Sequence, residues 1–294
     1  MTSTLTQLNG TIKQYSWNWQ NQKYSVTYET LGQGLPVLLL PAFSTVSTRQ
    51  EMAGIAQILA KNYQVTILDW LGFGDSEHPS LNYKPEIYHQ LLQDFVTDTF
   101  NKPIILIGAG HASVYALKLA QTNSNLVSRI VLIAPTWCGP LKVMGLPDPV
   151  RNGLRETVRS PFLGQLLYHL NTTPSFLRLM YRRHVYTHES KLTPEFISSK
   201  KKITQQTGSR YAPAAFVTGT LDPVENRKQF LELIQSLSIP VFIIIAENAP
   251  PRSKAEMEAI AELEQVQSVY LPGTLGLHEE FSETVTQEIQ KFMS

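Results

Sequence analysis

Short apolar runs alternate along the chain with segments whose apolar positions recur every three or four residues. Val37-Leu38-Leu39-Leu40 is apolar on both faces, which predicts a strand covered on both sides. Val65-Thr66-Ile67-Leu68, Ile104-Ile105-Leu106-Ile107, Ile130-Val131-Leu132-Ile133, Val241-Phe242-Ile243-Ile244-Ile245 and Val269-Tyr270-Leu271 continue the series. Between them Met52, Ile55, Ala56 and Leu59 fall on one helical face, as do Leu91, Leu92, Phe95 and Val96 behind Pro85, a residue suited to a first helical turn. Asp222-Pro223 is expected to open a helix, and Ser253-Lys254-Ala255-Glu256 has capping-box spacing ahead of Met257, Ile260 and Ala261. Val285, Ile289 and Phe292 predict a final helix. With an antiparallel start at Thr11 to Trp17 and Tyr24 to Tyr28, the pattern predicts an α/β fold, a mostly parallel central sheet flanked by helices.

From residue 139 to 220 the strand pattern stops. Helical periodicity runs through Phe162, Leu163, Leu166, Leu167 and Leu170, then Phe176, Leu177 and Met180, broken by Pro147, Pro149, Pro161 and Pro174. The reading is a core of residues 1–138 and 221–294 with a helical cap, 139–220, inserted between strands. Phe162, Tyr168, Phe176, Tyr181 and Phe196 are expected to pack inside the cap, some of them also roofing a pocket.

Composition narrows the classes. The 294 residues are 43% hydrophobic, enough for a large core, and the net charge of +1 offers no global field for nucleic acid. One cysteine, Cys138, excludes an internal disulfide framework; it reads as a small buried apolar residue. The N-terminal MTSTLTQLNGTIKQ has no apolar signal-peptide region and no run approaches the length of a membrane span, so a cytoplasmic location is expected. Charge is uneven, however. The cap holds twelve basic and four acidic side chains, a net of +8, so the remainder carries −7. A basic, apolar-striped cap suits contact with an anionic membrane surface or a protein partner; the simpler expectation is a solvated face that complements an acidic core.

The candidate chemistry lies where Ile104–Ile107 gives way to Gly108-Ala109-Gly110-His111-Ala112-Ser113 and a helical pattern, a strand, a glycine turn and a helix. Three further segments accompany it in order: Leu39-Leu40-Pro41-Ala42-Phe43-Ser44, Asp69-Trp70-Leu71-Gly72-Phe73-Gly74-Asp75-Ser76 and Gly276-Leu277-His278-Glu279. Together they resemble the α/β-hydrolase superfamily, in the branch that carries a helical cap. The resemblance implies a nucleophile at the turn apex, which here is Gly110, an acid at the position of Ala249, and a general base at His278. It also implies oxyanion-binding amides at Phe43 and His111, beside an Ala42 where the superfamily carries glycine.

Glycine and alanine supply neither nucleophile nor carboxylate, so the expectation is a degenerate triad. The protein would then bind a small apolar molecule under the cap, or a partner, without covalent catalysis. The alternative is a non-canonical esterase-like hydrolase or lyase in which His278 acts as general base on water or substrate, oriented by Glu247 or Asp222. Ser113 is expected to bond backbone, and the His111 side chain to point away from substrate. His184 and His188 have helical zinc spacing but neither the intervening glutamate nor a third ligand, and Gly108-Ala109-Gly110 is too short for a dinucleotide fingerprint; no metal and no cofactor are expected.

Overall fold

A computed structural model describes residues 7–294. The first six residues of the N-terminal segment read above lie outside the described part. Eight strands form one sheet: β1 (Thr11–Trp19), β2 (Gln22–Leu31), β3 (Leu35–Leu40), β4 (Tyr63–Leu68), β5 (Ile104–Ala109), β6 (Val127–Ile133), β7 (Val241–Ala246) and β8 (Val266–Leu271). Their spatial order is β1-β2-β4-β3-β5-β6-β7-β8. β1 and β2 pair antiparallel, β2 meets β4 antiparallel, and every later pairing is parallel. The interior strands β5 and β7 are buried at every position, which is why they are apolar on both faces rather than alternating.

The flanking helices are α1 (Ala53–Leu59), preceded by a 3-10 turn at Arg49–Met52, α2 (Pro85–Thr99) and α3 (Ala112–Thr122). Between β6 and β7 lie α4 (Pro140–Val143), α5 (Asp148–Arg159), α6 (Leu163–Asn171), α7 (Pro174–Met180), α8 (Pro194–Ile203), α9 (Tyr211–Val217) and α10 (Arg227–Gln235). A π-helical turn at Tyr181–Val185 follows α7. α11 (Pro251–Ala261) joins β7 to β8, and α12 (Leu277–Glu280) and α13 (Ser282–Met293) close the chain. None of these helices is long and apolar enough to cross a membrane.

Three local expectations are corrected. Asp222-Pro223 does not open a helix: α10 begins at Arg227, and Asn226 is its N-cap, accepting from the Gln229 amide. Asp222 is drawn away because its carboxylate accepts the Gly139 amide at 2.9 Å. Ser253 is no cap either, since α11 starts two residues earlier at Pro251 and buries Ser253. Finally, Phe162 does not pack inside the insertion; it is 90% exposed, and Leu163, Leu166 and Leu170 follow it to the surface. Tyr168, Tyr181 and Phe196 are buried as the pattern predicts.

The Asp69–Ser76 segment is structural. Arg49 is buried and forms ion pairs with Glu29 of β2 (3.0 Å), with Asp69 at the end of β4 (2.5 Å) and with Asp75 (2.7 Å). Gly74, at φ +57°, lies so close to the Asp69 carboxylate that any Cβ would overlap it. Ser76 donates to the Asp69 carbonyl at 2.7 Å and accepts the Thr27 amide at 2.9 Å. The cluster fixes the 3-10 turn that also carries Glu51.

Candidate active site

The turn between β5 and α3 is held mainly by backbone hydrogen bonds. The Gly110 amide donates to the Ile133 carbonyl at 2.9 Å, and the Gly110 carbonyl accepts from Thr136 (3.1 Å) and Ser113 (3.2 Å). These bonds impose φ +52° at Gly110, in the left-handed region that glycine occupies without cost. A Cβ placed there would stand 3.1 Å from the Ala42 Cβ, tighter than ordinary van der Waals contact. Ser113 Oγ donates to the Gly108 carbonyl at 3.1 Å and is fully buried, so its hydroxyl serves the turn.

Phe43 is the hub of an aromatic cluster. Its ring lies 5.0 Å from Trp70, 5.0 Å from Tyr88 and 5.4 Å from Tyr115. Among the described residues, neither the Phe43 nor the His111 amide donates to a backbone carbonyl. The His111 imidazole is packed against Phe43 and Phe216, with Nε2 3.1 Å from the Leu221 carbonyl and 3.7 Å from Asp222 Oδ1. Burial pushes its pKa down to about 4, and Lys142 pushes the same way against the opposing Leu221 bond. Burial also pushes Asp222 up to about 7, although Lys142 at 3.3 Å and the Gly139 amide favour its charged form. Nearby Cys138 is buried, and its thiol is pushed up to about 12, chiefly by desolvation.

His278 lies on α12 and is 4% exposed. Its Nε2 stands 3.4 Å from Glu51 Oε2, while its Nδ1 is buried without a hydrogen-bond partner. Neither Glu247 nor Asp222 orients it, contrary to expectation. Glu247 is exposed, and the Asp222 carboxylate is engaged with Gly139, Lys142 and His111. Ala249 is buried and carries only a methyl group.

Glu51 is the residue that pattern reading missed. The available signal was its spacing: Glu51 and Ile55 are four residues apart, which puts a carboxylate on the buried face of the turn and helix. Beyond Glu51 the charges continue. Lys200 of α8 lies 3.8 Å from Glu51 and 2.7 Å from Glu279, and all three side chains are mostly buried. Burial works against the Lys200 ammonium, but the two carboxylates outweigh it and hold its pKa above the usual lysine range. The Lys200 ammonium also lies 5.3 Å from the centre of the Phe196 ring.

Two cavities flank this region. One, of about 740 Å³, is bordered by Arg49, Glu51, Tyr186, Lys200 and Glu279. The other, of about 410 Å³, is bordered by Trp137, Cys138, Lys142, Arg252 and Glu256. Gly110, Ala249 and His278 border neither.

A strand-turn-helix apex at the carboxyl edge of a parallel sheet, with a histidine placed after the last strand, defines an α/β protein of hydrolase architecture. The comparisons agree. The model of the Alpha/beta hydrolase family matches residues 37–274, and the chain belongs to that family. It is 24% identical over 227 residues to the 2-hydroxy-6-oxo-6-(2'-aminophenyl)hexa-2,4-dienoic acid hydrolase of Metapseudomonas resinovorans, covering 70% of this chain and 76% of that one. Among solved structures, a probable hydrolytic enzyme from Pseudomonas aeruginosa superposes with a TM-score of 0.75 at 16% identity, over 98% of this chain and 96% of that one. A thermophilic esterase from Thermogutta terrifontis gives 0.73 at 19% identity, over 96% and 98%. At such identities the structural matches speak for the fold.

Proposed function

We propose that this α/β-hydrolase-family protein is a hydrolase that works without a serine nucleophile, with the His278–Glu51 pair as general base. The observation that carries the reading is the buried imidazole–carboxylate contact at 3.4 Å combined with an unpartnered Nδ1. With Glu51 ionised, Nε2 carries the hydrogen and donates to the carboxylate. The lone pair then resides on the buried Nδ1, and the reading requires a water admitted beside it to give up its proton. In ester hydrolysis the water oxygen would attack the carbonyl carbon as Nδ1 takes the proton. The Phe43 and His111 amides would hold the resulting oxyanion, and His278 would return the proton to the departing alcohol. Gly110 and Ala249 then occupy triad positions without contributing functional groups, and residues 139–220 form a cap over a small apolar substrate. A sequence relative named as a hydrolase favours turnover over binding alone.

General-base catalysis of water is worth typically ~10²–10⁴-fold, so slow turnover of activated esters is the expected behaviour. Purified protein should hydrolyse short p-nitrophenyl esters, His278→Ala should abolish this, and Glu51→Gln should reduce it. A serine-directed fluorophosphonate should leave the protein unlabelled. Turnover that survives His278→Ala, or covalent labelling, would overturn the proposal. A second reading, non-covalent binding, is favoured by the position of His278 and Gly110, which border neither cavity. Absence of turnover on every ester tried would select it.

A further inference from the structure

The insertion carries one helix, α6, that is apolar toward the core and apolar again toward solvent, with Gln165, His169 and Asn171 as its exposed polar residues. The buried side of α6 is formed by Gly164 and Tyr168, with Leu167 half-buried. On its outer side Leu163, Leu166 and Leu170 are each more than half exposed, and Phe162 projects just ahead of the first turn. Scattered exposed leucines need no explanation, but four large apolar residues on one face of one helix do. Leu179 and Met180 on the neighbouring α7 add to the exposed surface. A surface helix that turns a large apolar face to solvent as well as one to the core is a helix whose second face lacks its cover.

The charge beside this ridge indicates what the cover is. The insertion carries twelve basic and four acidic side chains, and the segment after α6 supplies Arg178, Arg182 and Arg183, of which Arg182 lies 3.7 Å from Glu189. Arg178, Arg182 and Arg183 are exposed, on α7 and the π-helical turn after it. A protruding phenylalanine and an exposed apolar helix face thus stand on an insertion of net charge +8. Anionic lipid headgroups match it: the ring and leucines enter the acyl boundary while the guanidinium groups remain at the phosphates. We propose that α6, with Phe162 at its tip and Arg178, Arg182 and Arg183 on the segment that follows it, docks this protein peripherally on an anionic bilayer surface. The inference is independent of the hydrolytic reading, because none of these residues touches His278, Glu51 or Gly110.

The test is sedimentation of the full chain with vesicles of phosphatidylcholine alone or mixed with phosphatidylglycerol, at low and high salt. Binding to the mixed vesicles that weakens in high salt is expected. Phe162→Ser combined with Leu166→Ser should weaken it roughly tenfold or more. Arg182→Glu combined with Arg183→Glu should remove the preference for phosphatidylglycerol. Both pairs are at exposed positions, so thermal melting should be unchanged, which separates lost docking from lost folding. No binding to the mixed vesicles, or binding equal in the wild type and both variants, would overturn the proposal. Self-association without vesicles that the Phe162/Leu166 variant abolishes would overturn it too, because the cover would then be a second copy of the chain.

Discussion

The Ala42 methyl and the missing side chain of Gly110 share one volume: a Cβ at 110 would lie 3.1 Å from the Ala42 Cβ. The two positions should therefore be energetically coupled. Gly110→Ser alone is expected to destabilise by about 1–3 kcal/mol, from the left-handed backbone and the contact together. Adding Ala42→Gly should recover part of this, visible as a coupling of roughly 0.5–1 kcal/mol in a double-mutant denaturation cycle. Strict additivity would mean the turn accommodates serine freely. A second residue-scale prediction concerns acid. His111 is neutral in the fold, its pKa lowered to about 4 from the ordinary 6.5. The unfolded chain therefore takes up a proton first as pH falls, and stability present above about 6.5 is lost progressively toward about 4, by up to about 3 kcal/mol. Asp222, raised to about 7 by burial, acts in the opposite sense: its contribution is full below about 4 and is lost as pH rises through about 7. His111→Phe should flatten the acid limb in urea titrations between about pH 7 and pH 5. The Leu221 carbonyl stays satisfied in that variant, because Tyr115 Oη donates to it at 2.6 Å.

At the scale of elements, the insertion is tied to the helix that carries His278. The Glu280 carboxylate on α12 accepts from the Thr187 amide (2.8 Å), the Thr187 hydroxyl (2.9 Å), the His188 amide (2.7 Å) and His188 Nδ1 (2.8 Å). The Gly276 amide donates to the Val185 carbonyl at 3.1 Å. Glu280→Ala would strip two backbone amides of their partner at once, for an expected loss of about 2–4 kcal/mol. Faster protease cleavage within residues 181–192 should accompany it, while Glu280→Gln keeps an acceptor and should lose less; equal cleavage of all three proteins would dismiss the latch. Elements were legible in the sequence to the extent that their pattern was local. The strands and the Pro85 helix follow from periodicity and a first-turn proline. The α6 stripe follows too, but periodicity could not say that its apolar face meets solvent. Asp222-Pro223 misled because a side chain that resembles a cap was recruited by the distant Gly139 amide.

For the whole molecule, Arg49 joins parts far apart in the chain: Glu29 on β2, Asp69 after β4, and Asp75. Arg49→Met would leave the Glu29 and Asp69 carboxylates buried without their cation, at an expected cost of about 3–5 kcal/mol in chemical denaturation. Because Glu51 is only two residues away, ester turnover should fall in that variant even where it remains folded; unchanged turnover would detach Glu51 from this anchor.

The order of strands and helices, the glycine at the β5–α3 apex and the methyl at position 249 were determined by the sequence alone. Each depends on residue identity or on spacings of two to four residues, which short-range sterics and burial enforce. The partner of His278 was decided by tertiary structure. Glu51 is 227 positions away and meets the imidazole only because β3 runs near the middle of the sheet and hands the chain to the turn that Arg49 anchors. Whether an apolar face is covered was decided there as well, since coverage belongs to neighbours in space and a one-dimensional pattern contains none.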